Sequence, residues 1–134
     1  MARGIVAVIA GLIAAVFAIL LIECIGALVA PGGPAPALKD VEQMRVYLAG
    51  LPPSANAFLI AAYLVGSATG GVVTGRVMRN PPSRCVWAVG GILLAMTMAN
   101  LVRIPHPLWV SIASVVAIFA GTSFATVYRP AVKH

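Results

Sequence analysis

Charge is scarce in this chain. Only 9% of its 134 residues are Asp, Glu, Lys or Arg, and just three are acidic: Glu23, Asp40 and Glu42. With 61% hydrophobic residues and a mean hydropathy of +1.03, there is too little polar surface to wrap a water-soluble core, and a membrane protein is expected. Cysteine and histidine are equally sparse, two of each, with none paired at metal-ligand spacing, so no metal site is expected. Nor does any Ser-His-Asp set, phosphate-cradling glycine loop or pair of catalytic carboxylates stand out, so neither an enzymatic activity nor a cofactor is expected. The nine Lys and Arg residues give a net charge of +6. They are scattered singly without interleaved aromatics, which argues against a nucleic-acid partner.

What the chain does have is apolar length. Four stretches, residues 5–30, 54–75, 85–102 and 108–128, each come near the roughly 20 residues that span a bilayer. The first, preceded by Arg3, is too long for the apolar region of a secretory signal, and Pro31 stands where a mature chain would begin; it is read as a retained transmembrane helix. If the N-terminus is cytoplasmic, Arg3, Arg76, Arg79, Arg84, Arg129 and Lys133 lie inside and Lys39, Arg45 and Arg103 outside. That bias places both termini in the cytoplasm. Cys24 and Cys85 then fall at opposite ends of the bilayer, about 20 Å or more apart, too far for an intramolecular disulfide.

The connections differ. "VMRNPPSRC" and "RIPHPLW" are short, proline-held turns that make antiparallel neighbours. The external first loop, 31–53, opens with Pro and Gly and then offers Asp40 as an N-cap with Gln43 three residues on. Val41, Met44, Leu48 and Leu51 recur at helical spacing before Gly50 ends the turn, which predicts a short amphipathic helix lying on the membrane surface or capping the bundle. The fold expected is an all-α membrane protein: four transmembrane helices in an antiparallel bundle, one domain over 1–134.

Small residues mark the packing faces. In the second span Ala62, Gly66, Gly70 and Thr74 share one diagonal, and Ser67, Gly71 and Gly75 the next; the fourth repeats the pattern with Ala113, Ala117, Gly121 and Ala125. Such spacing lets helix backbones approach when lipid supplies no hydrophobic drive. Packing within the bundle is the first reading. Two small faces on one helix also leave room for a homo-oligomer or a larger membrane complex.

Glu23 is the conspicuous exception, an acid inside an apolar run. Asn100 and Arg103, at i and i+3, lie at the same end of the bundle, with His106, Trp109 and Asn56 close in level. An ionised carboxylate alone in hydrocarbon costs several kcal/mol. Glu23 is therefore expected to pair with Arg103 or Asn100, to serve as a functional site for a proton, cationic headgroup or ligand, or to reach headgroup water. The candidate polar site is Glu23, Asn100, Arg103 and His106. His106, between two prolines, reads by itself as a turn residue rather than a ligand.

"IECIG", "LAGLPPSA", "VGSATGGVVTG" and "NLVRIPHPLW" together resemble a family of small bacterial four-helix inner-membrane proteins with no assigned activity. The similarity spans nearly the whole chain and points to Glu23, Gly26, Pro52, Gly70, Asn100, Pro105, His106, Pro107 and Trp109. In that family the residue after Gly26 is often His; here it is Ala27, so if a Glu and His pair defines an activity there, it is either lost in this chain or made with His106 instead. The resemblance implies a bacterial inner-membrane location. Small multidrug-resistance exporters also carry one embedded Glu in helix one, but lack the long first loop found here and have an aromatic binding set that this chain does not. Fluoride channels are similar only in an Asn before a Gly-rich helix; their other motifs are absent. The function expected is that of an accessory, scaffolding or interaction protein, with a small proton-coupled carrier of a cationic or lipid-like ligand, titrating at Glu23, as the alternative.

Overall fold

The structure, a computed structural model, describes residues 2–29, 40–78 and 83–128. The Pro/Gly segment 31–39 with Lys39, the turn at Pro81 and Pro82 with Arg79, and Arg129 and Lys133 lie outside the described residues. Within hydrocarbon no water reaches backbone N–H and C=O groups, so an apolar span closes its hydrogen bonds on itself as a helix. Four such helices, long and apolar enough to cross a membrane, form the bundle: α1 (Ala2–Val29), α3 (Pro53–Met78), α4 (Ser83–Arg103) and α5 (Leu108–Val127). Helices α3 and α4 extend past their apolar stretches at both ends and α1 at its start, because helix geometry continues into the polar boundary until a proline or a turn stops it, while α5 keeps to its stretch. Pro53 occupies the first turn of α3, where a missing N–H costs nothing, and Pro107 stands just before α5.

The short helix α2 (Val41–Ala49) joins α1 to α3. Its start is fixed by the Asp40 carboxylate, which accepts a hydrogen bond from the Gln43 backbone N–H at 3.0 Å. Met44 and Leu48 are buried, while Val41, Glu42, Arg45 and Val46 are exposed. Gly50 closes the helix in an ordinary right-handed conformation, with its N–H donating to the Val46 carbonyl at 3.0 Å.

The interior is built from small side chains and the surface from large ones. The largest fully buried residues are Val86, Val89, Val110, Thr74 and Thr122, whereas Phe17 is 69% and Leu108 77% exposed. This arrangement follows from lipid as solvent: large apolar groups gain nothing by hiding, and close backbone contact supplies the attraction.

Helix α3 is central, touching α1, α4 and α5, while α1 and α5 do not meet. Its two small diagonals serve different neighbours. Gly66, Gly70 and Thr74 face Ala7, Gly11, Ala15 and Ile19 of α1, and a Cβ at Gly70 would lie 2.8 Å from the Gly11 carbonyl oxygen. Ser67 and Gly71 face Gly121 and Ala125 of α5; Gly75 is half-buried. Both faces of α3 are thus filled from within the chain, as the first reading of its small diagonals expects. Helix one carries a matching stripe, Ala7, Gly11 and Ala15, all fully buried.

Buried hydroxyls are satisfied locally. Ser67 and Thr122 donate to carbonyls four residues back at 2.8 Å, and Thr74 donates to Gly70 at 2.8 Å and across to Ala7 at 3.3 Å. Among the described residues, Ser114 Oγ is buried without a partner. Removing an unpaired buried hydroxyl relieves about 1–3 kcal/mol of desolvation cost. Ser114→Ala is expected to stabilise the bundle by about 1 kcal/mol in reversible unfolding from mixed micelles.

Candidate functional site

Helices α1 and α4 run parallel, and their contact is uneven. Near one end Gly4 approaches Cys85 and Gly11 approaches Val89. Toward the other end the two helices part, leaving a lateral groove of about 480 Å³. Val16, Ile19 and Leu20 form its α1 wall, and Leu93, Met96 and Thr97 begin its α4 wall. Tyr63 of α3 lines it from between the two, and Ala99, Asn100 and Arg103 complete the wall toward the α2 end.

The geometry has a physical source. Gly11 seats α1 against the Gly70 carbonyl and Thr74 of α3 and the Val89 side chain of α4, and farther along, where Ile19 covers Gly66, α1 stays against α3. Packed on α3 along its length, α1 touches α4 at Gly4 and Gly11 and leaves the space beside α4 open beyond them. The groove closes toward the terminal end of the bundle, where Gly11, Thr74 and Val89 meet.

Polarity is confined to the open end. Thr97, Asn100 and Arg103 succeed one another at three-residue spacing on α4, and the Tyr63 hydroxyl interacts with the Asn100 and Thr97 side chains and lies in the field of Glu23. Glu23 continues the face of Val16, Ile19 and Leu20 by one further turn. The α1–α4 contacts offset the two helices by about 80 residues, so Glu23 stands level with the last turn of α4, which ends at Arg103.

The expected pairing of Glu23 with Arg103 or Asn100 does not form. Among the described residues the ion pair is Arg45 with Glu42, at 3.7 Å on the exposed surface of α2, and Glu23 makes no hydrogen bond. Arg103 lines the groove, whereas Glu23 lies one turn past Leu20 on α1, outside the lining, and no ion pair joins them among the described residues. His106 is also elsewhere. Its ring Nδ1 lies 3.0 Å from the Ile104 carbonyl, which only accepts, so Nδ1 carries the proton and the ring holds its own turn together. Sequence reasoning missed Tyr63 and Thr97; the visible signal was a phenol and a hydroxyl deep inside otherwise apolar spans.

Chemically, the arrangement is a set of apolar walls ending in a guanidinium and neutral hydrogen-bonding groups, with the Glu23 carboxylate one turn beyond the lining residues of α1. Among the described residues no three His, Cys, Asp or Glu side chains gather as a metal site. Cys24 and Cys85 are free. Compared with models of known protein families, with curated proteins and with solved structures, the chain matches none.

Proposed function

We propose that this small helical membrane protein is a non-enzymatic accessory protein of the bacterial inner membrane, both termini cytoplasmic, that holds an amphiphile in the groove between α1 and α4. The resemblance of "NLVRIPHPLW" and "IECIG" to small bacterial four-helix proteins and the excess of basic residues on the terminal side support the location and orientation. The observation that carries the activity is the groove itself. Its volume of about 480 Å³ falls within the size of ordinary ligand pockets. It is apolar along its length, and its polar groups sit at one end.

The carrier alternative keeps one supporting observation, the absence of a hydrogen-bonding partner for Glu23 among the described residues, since an acid without one is free to exchange protons or cations. It also requires a path past Gly11, Thr74 and Val89, which are in close contact. Holding is therefore favoured over carrying.

Native mass spectrometry of the detergent-purified protein with added membrane phospholipids tests the assignment. One tightly retained lipid is expected on the wild-type chain. Ala99 is an exposed residue on the groove wall, so Ala99→Phe fills the groove from the outside with little cost to the fold. It is expected to lose that lipid while unfolding at the same denaturant concentration. Equal retention by both proteins would refute a groove-bound amphiphile.

A further inference from the structure

The groove ends on Arg103, and Glu23 stands just outside it, one helical turn beyond Leu20 on the α1 wall; this separation of the two charges has chemical content. We propose that its occupant is a glycerophospholipid whose headgroup carries both a phosphate and a primary ammonium, the phosphate on Arg103 and the ammonium on Glu23, with one acyl chain lying in the groove. This rests on the groove assignment above and goes on to name the ligand.

Length argues for the acyl chain. From Leu93 to Arg103 the α4 wall rises by ten residue steps, about 15 Å at 1.5 Å per residue. That is half of a hydrocarbon core of about 30 Å, the depth one leaflet supplies. The wall is apolar at Leu93 and Met96 and becomes polar only at Thr97, Asn100 and Arg103, matching a lipid that enters headgroup last from the leaflet on the α2 side. The groove opens sideways between α1 and α4, so the chain is reached from the bilayer without passing through water.

Charge argues for the headgroup. Arg103 offers a planar fork of donors suited to phosphate oxygens. Glu23 stands level with it on α1 and, like it, has no ion-pair partner among the described residues. A headgroup with a phosphate alone would answer Arg103 and leave a carboxylate facing negative charge. A quaternary ammonium has no N–H to give Glu23 and is held better by aromatic cages, which the groove lacks, Tyr63 being the aromatic residue that lines it. A primary ammonium donates hydrogen bonds to the carboxylate, so one molecule satisfies both charges. Asn100 and Tyr63 remain beside the head to bond the glycerol ester region.

Binding competition by native mass spectrometry distinguishes the headgroups. The probes are phosphatidylethanolamine, phosphatidylglycerol and phosphatidylcholine with identical acyl chains, added to delipidated wild-type protein and to Glu23→Gln, Arg103→Gln and Ala99→Phe. Phosphatidylethanolamine is expected to bind about tenfold tighter than the other two, the worth of one charge-assisted contact. Glu23→Gln is expected to erase that preference while leaving phosphatidylglycerol binding unchanged or improved. Arg103→Gln is expected to weaken all three by a similar factor. Equal affinities in the wild type, or a preference that survives Glu23→Gln, would overturn the headgroup assignment. If the three lipids bind equally and Ala99→Phe still abolishes binding, the groove holds an amphiphile without reading its head. If Ala99→Phe changes nothing, the groove assignment itself fails. A dimeric mass whose lipid-free groove is protected from labelling at Ala99→Cys would identify a second copy as the occupant and overturn both.

Discussion

Gly11→Ala is expected to destabilise the bundle by about 2–3 kcal/mol, while the same change at Gly91 is expected to be neutral or to stabilise it by up to about 1 kcal/mol. Both glycines lie inside spanning helices, so local helix preference favours alanine at each. Their surroundings decide the sign. A Cβ at position 11 would lie 2.6 Å from the Gly70 carbonyl oxygen and closer still to the Thr74 hydroxyl, whereas at position 91 it would meet nothing within 4 Å. A carbonyl in the middle of α3 cannot step aside, so α1 must move away from α3. In lipid the attraction between helices is mostly short-range packing, and a separation of a few tenths of an ångström weakens every contact along the Ala7, Gly11 and Ala15 stripe. The 3.3 Å hydrogen bond from Thr74 to the Ala7 carbonyl is lost with them. Reversible unfolding in mixed micelles, followed by helicity, checks both substitutions in one background. Equal effects would mean that the α1–α3 backbone contact does not hold the bundle together.

Much of this arrangement is visible in the sequence, for physical reasons that also mark where visibility ends. Span number and the short helix follow from apolar length and from Asp40, whose side chain caps the helix as its spacing to Gln43 suggests. The small diagonals of α3 are legible because glycine at four-residue spacing has few uses other than close approach. Their partners are not, since Gly70 and Gly71 are one residue apart in sequence yet turn to α1 and α5. The Ala7, Gly11 and Ala15 stripe is present in "AVIAGLIAA", but small residues at four-residue spacing stand out less there, among further alanines, than in the glycine-rich α3. Placing Glu23, Asn100 and Arg103 at one end of the bundle needed only helix direction. Whether they touch depends on how far α1 and α4 stay together beyond the Gly11–Val89 contact, and no single-helix pattern reports the spacing between two helices.

Glu23→Leu is expected to raise stability by about 1–2 kcal/mol, and Arg103→Ala to change it by less than about 0.5 kcal/mol. Had the two residues formed a membrane-embedded ion pair, removing either would strand the other and cost several kcal/mol. In the structure neither leaves an orphan, because Glu23 and Arg103 stand apart, Arg103 in the groove lining and Glu23 one turn outside it. Glu23 is half-buried on an otherwise apolar helix face with no ion-pair partner among the described residues. A carboxylate in that position opposes folding, and leucine at 23 would continue the Val16 and Leu20 surface at no electrostatic cost. The expected gain should come with a loss: Glu23→Leu folds more stably and no longer separates phosphatidylethanolamine from phosphatidylglycerol or phosphatidylcholine. A stabilised protein that still discriminates would place the selectivity elsewhere. A destabilised one would mean that the acid holds α1 in place, through a contact that forms only in the bilayer. Stability that rises as discrimination falls is the pattern of a residue kept for binding at the expense of the fold, and the same unfolding and lipid-competition measurements on one variant read both quantities.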